Sequence, residues 1–172
     1  MPDPKNLNQI IILNNGHAMP VINLGTYETH GQVTYRTVLD SLEVGYRAFD
    51  TAQMYGNERE VGAAASHWIV QAETRTRSDI FFTTKLAENA GYDRTLQSIR
   101  NSAEICGLGY IDLFLLHTPY GGPEARRESW RAVEDAMTEG IVKAGGVSNF
   151  GIKHVHPNTP HPHIETSLTR PA

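Results

Sequence analysis

Short apolar runs alternate along the chain with segments whose apolar residues recur every three or four positions. The short runs are typical of buried strands, and the wider spacing is typical of one face of a helix. We predict strands over residues 23–26, 47–51, 80–84, 111–116 and 142–147. Between them we predict four helices, whose apolar faces are Tyr35, Val38, Leu39 and Leu42; Val61, Ala64, Ala65 and Trp68; Leu96, Ile99, Ala103 and Cys106; and Trp130, Val133 and Met137.

A turn signal precedes this alternation. Asn14-Asn15-Gly16 separates the apolar residues 10–13 from residues 19–22, which predicts a short N-terminal β-hairpin. The repeated strand–helix units that follow predict a parallel sheet with right-handed crossovers. The expected fold class is therefore α/β.

Four of the predicted strands have a polar residue at their C-terminal end. These residues are Asp50, Lys85, His117 and Ser148, at intervals of 35, 32 and 31 residues. Each interval has room for one strand, one helix and two loops. Because successive parallel strands point the same way, their C-terminal ends lie on one face of the fold. We therefore expect the four side chains to meet in one site.

Asp50, Lys85 and His117, and Tyr55 in the loop after Asp50, also have ordinary structural interpretations. An aspartate such as Asp50 before a helix is typical of an N-cap, and a tyrosine such as Tyr55 in a loop is typical of packing. Lys85 ends an apolar run, so it needs a partner such as Asp50, which is equally typical of a structural ion pair. His117 at a buried strand end is equally typical of a hydrogen-bonded core residue.

Together the same groups fit acid–base chemistry at a carbonyl. Tyrosine is a weak acid at neutral pH, and a nearby ammonium such as Lys85 stabilises its phenolate form. The Asp50 carboxylate would keep Lys85 charged, and a neutral His117 would donate a hydrogen bond to a carbonyl oxygen. Such a site would protonate an alkoxide, through Tyr55, as a hydride reaches the carbonyl carbon.

The hydride source must be a cofactor, because no side chain supplies a hydride, and a nicotinamide is implied. No glycine-rich dinucleotide fingerprint follows the first predicted strand of the sheet. We therefore do not expect the cofactor to be held as in a doubly wound dinucleotide-binding fold.

Composition narrows the class of protein. The 172 residues suffice for one domain with a substantial core, but a complete (β/α)8 barrel usually needs roughly 250. The formal net charge is −4 without a basic cluster, so neither nucleic acid nor a membrane surface is an expected partner. The single cysteine, Cys106, excludes an internal disulfide and favours a reducing compartment. With no leader-like or membrane-spanning apolar run, we expect a cytoplasmic protein.

The amino-acid composition changes after Gly151. Four of the eight histidines and four of the nine prolines lie between residues 154 and 172. Each proline inside a helix costs about 3 kcal/mol, so we predict a disordered tail over residues 153–172. The histidines there have no carboxylate or cysteine at ligand spacing, so no metal site is expected at His156, His161 and His163.

Residues 10–152 carry a series of short motifs whose order and spacing resemble the aldo-keto reductase family. The motifs are Leu13-Asn14-Asn15-Gly16, Met19-Pro20, Leu24-Gly25-Thr26-Tyr27, Gly45-Tyr46-Arg47, Asp50-Thr51-Ala52, Tyr55-Gly56-Asn57-Glu58, Thr84-Lys85-Leu86, Tyr110-Ile111-Asp112-Leu113-Phe114-Leu115-Leu116-His117 and Gly146-Val147-Ser148-Asn149-Phe150. The family fold is a (β/α)8 barrel and its usual cofactor is NADPH. The resemblance therefore implies a TIM-type barrel.

The resemblance also implies roles for individual residues. Tyr55 resembles the family's proton donor, and Lys85 the residue that makes this tyrosine more acidic. Asp50 resembles the ion-pair partner of the lysine, and His117 the group that orients the substrate carbonyl. The implied substrate is a small-molecule aldehyde or ketone.

A second group of residues resembles the family's cofactor and substrate contacts. Ser148 and Asn149 resemble the pair that holds the nicotinamide carboxamide. Gly25, Thr26 and Tyr27, together with Asp50, resemble the floor on which cofactor and substrate lie. We expect Tyr120, in the loop after His117, to contact the substrate.

Nothing after Gly151 matches the family, so we expect residues 1–152 to form an incomplete, C-terminally truncated barrel of about five β/α units. Five strands cannot close an eight-stranded barrel, which leaves the first and fifth strands of the sheet as open edges. Two hypotheses follow. The chain is an NADPH-dependent reductase of an aldehyde or ketone, or it is an inactive remnant that binds cofactor weakly or acts only by protein association through its open edges.

Overall fold

A computed structural model of the protein describes residue 7 and residues 9–155. The chain begins with a hairpin of β1 (Ile10–Ile12) and β2 (Ala18–Pro20). The other elements are β3 (Leu24–Gly25), α1 (Gly31–Glu43), β4 (Ala48–Asp50), α2 (Glu58–Val70), β5 (Phe81–Leu86), α3 (Tyr92–Cys106), β6 (Ile111–Leu116), α4 (Gly122–Thr138), β7 (Val142–Val147) and α5 (Ile152–Val155). Short 3₁₀ helices at Gln53–Tyr55 and Arg77–Asp79 precede α2 and β5.

The strands form two sheets, as the sequence predicts. β1 and β2 pair antiparallel, with Ile11 opposite Met19. The other five strands form one parallel sheet in the order β3-β4-β5-β6-β7. The predictions of an N-terminal hairpin and of an α/β fold with a parallel sheet are therefore confirmed.

Three predicted strand ranges differ from the observed ones. β4 is Ala48–Asp50, whereas the prediction was 47–51. β3 contains only Leu24 and Gly25, whereas the prediction was 23–26. β5 continues past the predicted end at residue 84, because Lys85 and Leu86 pair with Leu115 and Leu116 of β6. Lys85 therefore lies inside the strand and does not follow it.

The core lies where the sheet meets helices α1 to α4. Phe49, Phe82 and Phe114 come from three neighbouring strands and are fully buried. The helices contribute buried apolar side chains to the same cluster, among them Val38, Val61, Ile99 and Val133. Burial of each such side chain stabilises the fold by about 1.5–3 kcal/mol.

Asp112 is the one charged residue in the otherwise apolar strand β6, and it is 3% exposed. Its carboxylate accepts hydrogen bonds from Arg77 Nη2 at 2.6 Å and from the Phe82 amide at 2.9 Å. His17 Nε2 in the hairpin loop lies 3.3 Å from the same carboxylate. A buried carboxylate is tolerated only with such partners, and this one connects the hairpin to the N-terminal side of the sheet.

The predicted tail lies mainly outside the described residues. Residues 153–155 belong to α5, so the described chain is helical where the predicted disorder begins. The remaining residues of the predicted tail, 156–172, are not described, and the expectation about His156, His161 and His163 falls among them. Within the described ranges, no helix has the length and apolar character needed to cross a membrane.

Helices α2 and α3 approach each other closely at Gly62. A β-carbon placed on Gly62 would overlap the backbone carbonyl of Cys106, the last residue of α3. Because the obstacle is backbone, no side-chain rotation relieves it. Gly62 is therefore required by the distance between the two helices.

We expect Gly62→Ala to lower the free energy of unfolding. Alanine favours a helix by about 1 kcal/mol relative to glycine, whereas forced overpacking costs about 1–3 kcal/mol, so a net loss is expected. Chemical denaturation monitored by circular dichroism measures the change. Ala63→Ser, on the exposed side of the same helix, is the matched control and should stay within about 0.5 kcal/mol of wild type. Equal stability of Gly62→Ala and wild type would contradict the steric explanation.

Candidate active site

The predicted site residues lie at one end of the parallel sheet. Asp50 is the last residue of β4, and Lys85 is one residue from the end of β5. His117 and Ser148 directly follow β6 and β7. The structure therefore brings the four predicted strand ends together.

Lys85 and Asp50 form an ion pair across neighbouring strands. Lys85 Nζ lies 2.5 Å from Asp50 Oδ1 and donates a second hydrogen bond to the Thr51 carbonyl at 2.8 Å. The Lys85 side chain is 7% exposed and that of Asp50 is 33% exposed. The Asp50 carboxylate is therefore more exposed to solvent than the nearly buried Lys85 ammonium. Asp50 is not an N-cap, since Ala52 precedes the 3₁₀ helix and Asn57 precedes α2.

Tyr55 ends the short 3₁₀ helix that follows Asp50. The helix stops because Gly56 adopts φ +67°, a conformation that glycine takes without strain, and its amide bonds back to the Gln53 carbonyl. Lys85 Nζ lies 5.0 Å from the centre of the Tyr55 ring. The His117 ring contacts Tyr55 edge-on at a centroid distance of 5.8 Å.

The surroundings of His117 disfavour its protonated form. Burial lowers the pKa of His117, the Lys85 ammonium lowers it further, and the Asp50 carboxylate opposes both effects. Its Nδ1 is buried and has no hydrogen-bond partner in the part of the chain that the structure describes. A neutral imidazole at this place has one N–H with which to donate to a substrate oxygen.

Ser148 and Asn149 continue from β7 toward His117. The Ser148 amide donates to the Leu116 carbonyl at 2.8 Å, which extends the ladder beyond the strand. Asn149 adopts φ +62°, a left-handed conformation that asparagine tolerates better than most residues. Its Nδ2 donates to the His117 carbonyl at 2.8 Å and lies 3.0 Å from Ser148 Oγ.

The residues after β3 lie on the other side of Asp50. Gly25 is paired with Asp50, and a β-carbon built on Gly25 would meet nothing within 4 Å. Thr26 is 2% exposed, and its amide donates to the Asp50 carbonyl at 3.0 Å. The Tyr27 ring is 65% exposed and lies 5.0 Å from the Tyr55 ring centre. Tyr27 thus contacts Tyr55, Gly25 has open space where a side chain would stand, and Thr26 is buried.

Tyr120 stands apart from this group. Its side chain is 77% exposed, and no described contact joins it to Tyr55 or His117. Its carbonyl accepts a hydrogen bond from Asn89 Nδ2 at 2.7 Å. A substrate contact by Tyr120 therefore stays a prediction.

Three carboxamide side chains hold the loops of the site and were not among the predicted site residues. Gln53 Oε1 accepts the Ala87 amide at 2.8 Å, and Asn89 Nδ2 donates to the Thr118 carbonyl at 2.8 Å. Asn57 is fully buried between two further loops. Asn57 was visible in the Gly56-Asn57-Glu58 motif, but an asparagine directly before a helix is typical of an N-cap, which concealed its other contacts.

Comparisons with known proteins identify relatives of the chain. A model of the aldo/keto reductase family matches residues 22–167. The expectation that nothing after Gly151 matches the family is therefore wrong, since this match continues beyond that residue. An uncharacterised oxidoreductase of Schizosaccharomyces pombe is 46% identical over 149 residues, which cover 87% of this chain and 53% of that protein. The methylglyoxal reductase DkgA of Escherichia coli O157:H7 is 36% identical over 146 residues, which cover 85% of this chain and 51% of that protein.

Solved structures agree with these matches. The crystal structure of the Bombyx mori aldo-keto reductase in complex with NADP is 30% identical and aligns with a TM-score of 0.80. The alignment covers 91% of this chain and 55% of that chain. The chain therefore spans about half the length of its relatives. The predicted (β/α)8-type fold class is confirmed by this likeness, and the described residues form five parallel strands of such a barrel.

We expect Lys85→Met to raise the pKa of His117. The substitution removes a cation that disfavours the imidazolium and leaves the Asp50 carboxylate, which favours it. An NMR titration of the histidine rings, with His117 assigned from a His117→Gln variant, measures the change. In the wild type, His117 should titrate below the ordinary histidine value of about 6.5.

Folding stability should also depend on the protonation of His117. Because the pKa of His117 is lower in the folded protein than in the unfolded chain, this residue removes stability as the pH falls below about 6.5. The loss should be smaller in Lys85→Met. Lys143→Met, near the opposite end of β7, is the control and should leave the His117 titration unchanged. A wild-type titration at or above the ordinary value would contradict the assignment.

Proposed function

The chain belongs to the aldo/keto reductase family, and from that premise we propose that its site reduces an aldehyde or ketone to an alcohol with NADPH as the cofactor. The observation that carries the proposal is the placement of Lys85. Its ammonium is held by Asp50 and the Thr51 carbonyl, and it lies beside the ring of Tyr55. A cation beside the ring can stabilise the negative charge that Tyr55 would carry after giving up its proton, which supports acid catalysis by this tyrosine.

The residues at the open end of the sheet fit a nicotinamide cofactor. Ser148 and Asn149 offer a hydroxyl and a carboxamide, which can both donate to and accept from a nicotinamide carboxamide. Gly25 has open space where a side chain would stand. When bound, the cofactor supplies a hydride. The Bombyx mori relative was solved in complex with NADP, which favours a nicotinamide cofactor for this chain as well.

The chain's own residues then handle the substrate oxygen and the proton. Neutral His117 donates a hydrogen bond to the carbonyl oxygen and fixes its direction. The Tyr55 hydroxyl gives its proton to the same oxygen as negative charge develops there. The Lys85 ammonium stabilises the phenolate that remains, and Asp50 keeps that ammonium charged. The proton thus passes from Tyr55 to the product alcohol.

We expect Tyr55→Phe to lower turnover by at least about 100-fold, since it removes the proposed general acid. The loss of NADPH absorbance in the presence of a carbonyl compound measures turnover. Methylglyoxal is a suitable first probe, because the relative from Escherichia coli is named for it. Tyr35→Phe is the matched control, since the Tyr35 hydroxyl bonds to His67 between α1 and α2. Full activity of a folded Tyr55→Phe protein would refute the assigned acid.

A second candidate function is supported by the edges of the sheet. Among the described residues, β3 pairs only with β4 and β7 pairs only with β6. Unpaired strand edges are templates for pairing with another chain. In this candidate function the chain binds NADPH weakly, has no turnover and acts by association with a second copy of itself.

Sedimentation velocity over a range of protein concentrations distinguishes the two candidates. Edge-to-edge association should appear as a dimer or larger species whose fraction rises with concentration. A fluorescence titration of the same samples with NADPH reports cofactor binding. A chain that stays monomeric and binds NADPH at micromolar or lower concentrations would exclude the second candidate.

A further inference from the structure

Asn57 is a fully buried residue to which the proposed mechanism assigns no role. It occupies the N-cap position of α2, where an asparagine side chain ordinarily accepts a backbone N–H of the first helical turn. The Asn57 side chain makes no such hydrogen bond. The helix therefore lacks the usual N-cap hydrogen bond, and the carboxamide has other partners.

One half of the carboxamide holds the loop between β3 and α1. Asn57 Nδ2 donates to the Thr26 carbonyl at 2.8 Å and to the Thr29 carbonyl at 2.9 Å. Between these two residues lie Tyr27 and Glu28, and Glu28 adopts φ +61°, which is unfavourable for a residue with a β-carbon. Both N–H donors of the Asn57 side chain therefore bond to a strained loop, which also carries the Tyr27 ring.

The other half of the carboxamide holds the loop after β4. Thr51 Oγ1 donates to Asn57 Oδ1 at 2.5 Å, and Thr51 is fully buried. The Thr51 amide is bonded to the Thr83 carbonyl of β5 at 2.9 Å. The Thr51 carbonyl accepts the second hydrogen bond of Lys85 Nζ. Thr51 thus bonds to both the Asn57 side chain and the Lys85 ammonium and links the two.

We propose that Asn57 is a positioning residue: its buried carboxamide joins the loop that carries Tyr27 to the loop that carries Thr51, and so sets the place of Lys85 relative to Tyr55. The Tyr27 ring centre, on the first of these loops, lies 5.0 Å from the centre of the Tyr55 ring. Lys85 Nζ, on strand β5, lies at the same distance from that ring centre and is bonded to the second loop through Thr51. The proposal rests on the proposed function only in taking Lys85 and Tyr55 as the acid–base pair. The contacts themselves need no cofactor.

The test uses the lysine side chains as spectroscopic reporters, because the chain has only four lysines. In protein labelled with carbon-13 at the lysine ε-position, Lys85 is assigned from a Lys85→Arg variant. Its signal depends on the ring current of Tyr55, whose centre lies 5.0 Å from Nζ. Asn57→Asp keeps the shape of the side chain but removes both donors. Thr51→Val keeps the shape of Thr51 but removes its hydrogen bond to Asn57.

We expect the Lys85 signal to shift toward its random-coil position in both variants. Two controls separate this effect from general destabilisation. Ser129→Ala removes a buried hydrogen bond to Thr95 between α3 and α4, and Asn101→Asp makes the same charge change on an exposed helix face. Neither control should move the Lys85 signal.

Two results would overturn the proposal. One is an unchanged Lys85 signal in folded Thr51→Val, which decides the matter even if Asn57→Asp does not fold. The other is an equal shift in the control variants, which would indicate a general loss of stability. Because no cofactor or substrate is present in this experiment, a lack of turnover in the wild type bears only on the proposed function.

Discussion

A positive charge held below the surface, at the end of a parallel sheet, is the constraint on which the rest of the site depends. A buried ammonium without partners costs several kcal/mol, so Lys85 requires acceptors close to Nζ. Asp50 and Thr51 supply them from the end of the neighbouring strand and the loop that follows it. The ion pair joins β4 to β5, and the Lys85 charge adds to the burial that lowers the pKa of His117.

Much of this arrangement is readable from the sequence, because its causes are local or periodic. The ranges predicted for β6 and β7 are the observed ones. In β6 every residue but Asp112 is apolar, which is typical of a buried strand. The ion pair is also predictable. A lysine at the end of an apolar run needs an opposite charge, and Asp50 lies at the corresponding place of the preceding predicted strand. The meeting of strand ends then follows from the parallel sheet.

Other features depend on contacts between distant residues. Thr84 is a polar residue near the predicted end of β5, yet it is fully buried because its hydroxyl donates to Glu58 at 2.6 Å. Burial in turn raises the pKa of Glu58, which a local pattern does not reveal. Asn57 is the clearest case. Its sequence context is typical of a helix cap, whereas its partners lie up to 31 residues away.

Strand order in the five-stranded sheet is the same as strand order along the chain. Each new strand therefore docks on the one made just before it, with a loop closure of only about 30 residues, and closure entropy rises slowly with loop length. Sheets built from such near-neighbour contacts have a lower contact order than sheets that join distant segments. During synthesis, each β/α unit can add to the growing edge as it emerges, and no earlier pairing has to open. The topology thus favours assembly in the direction of translation.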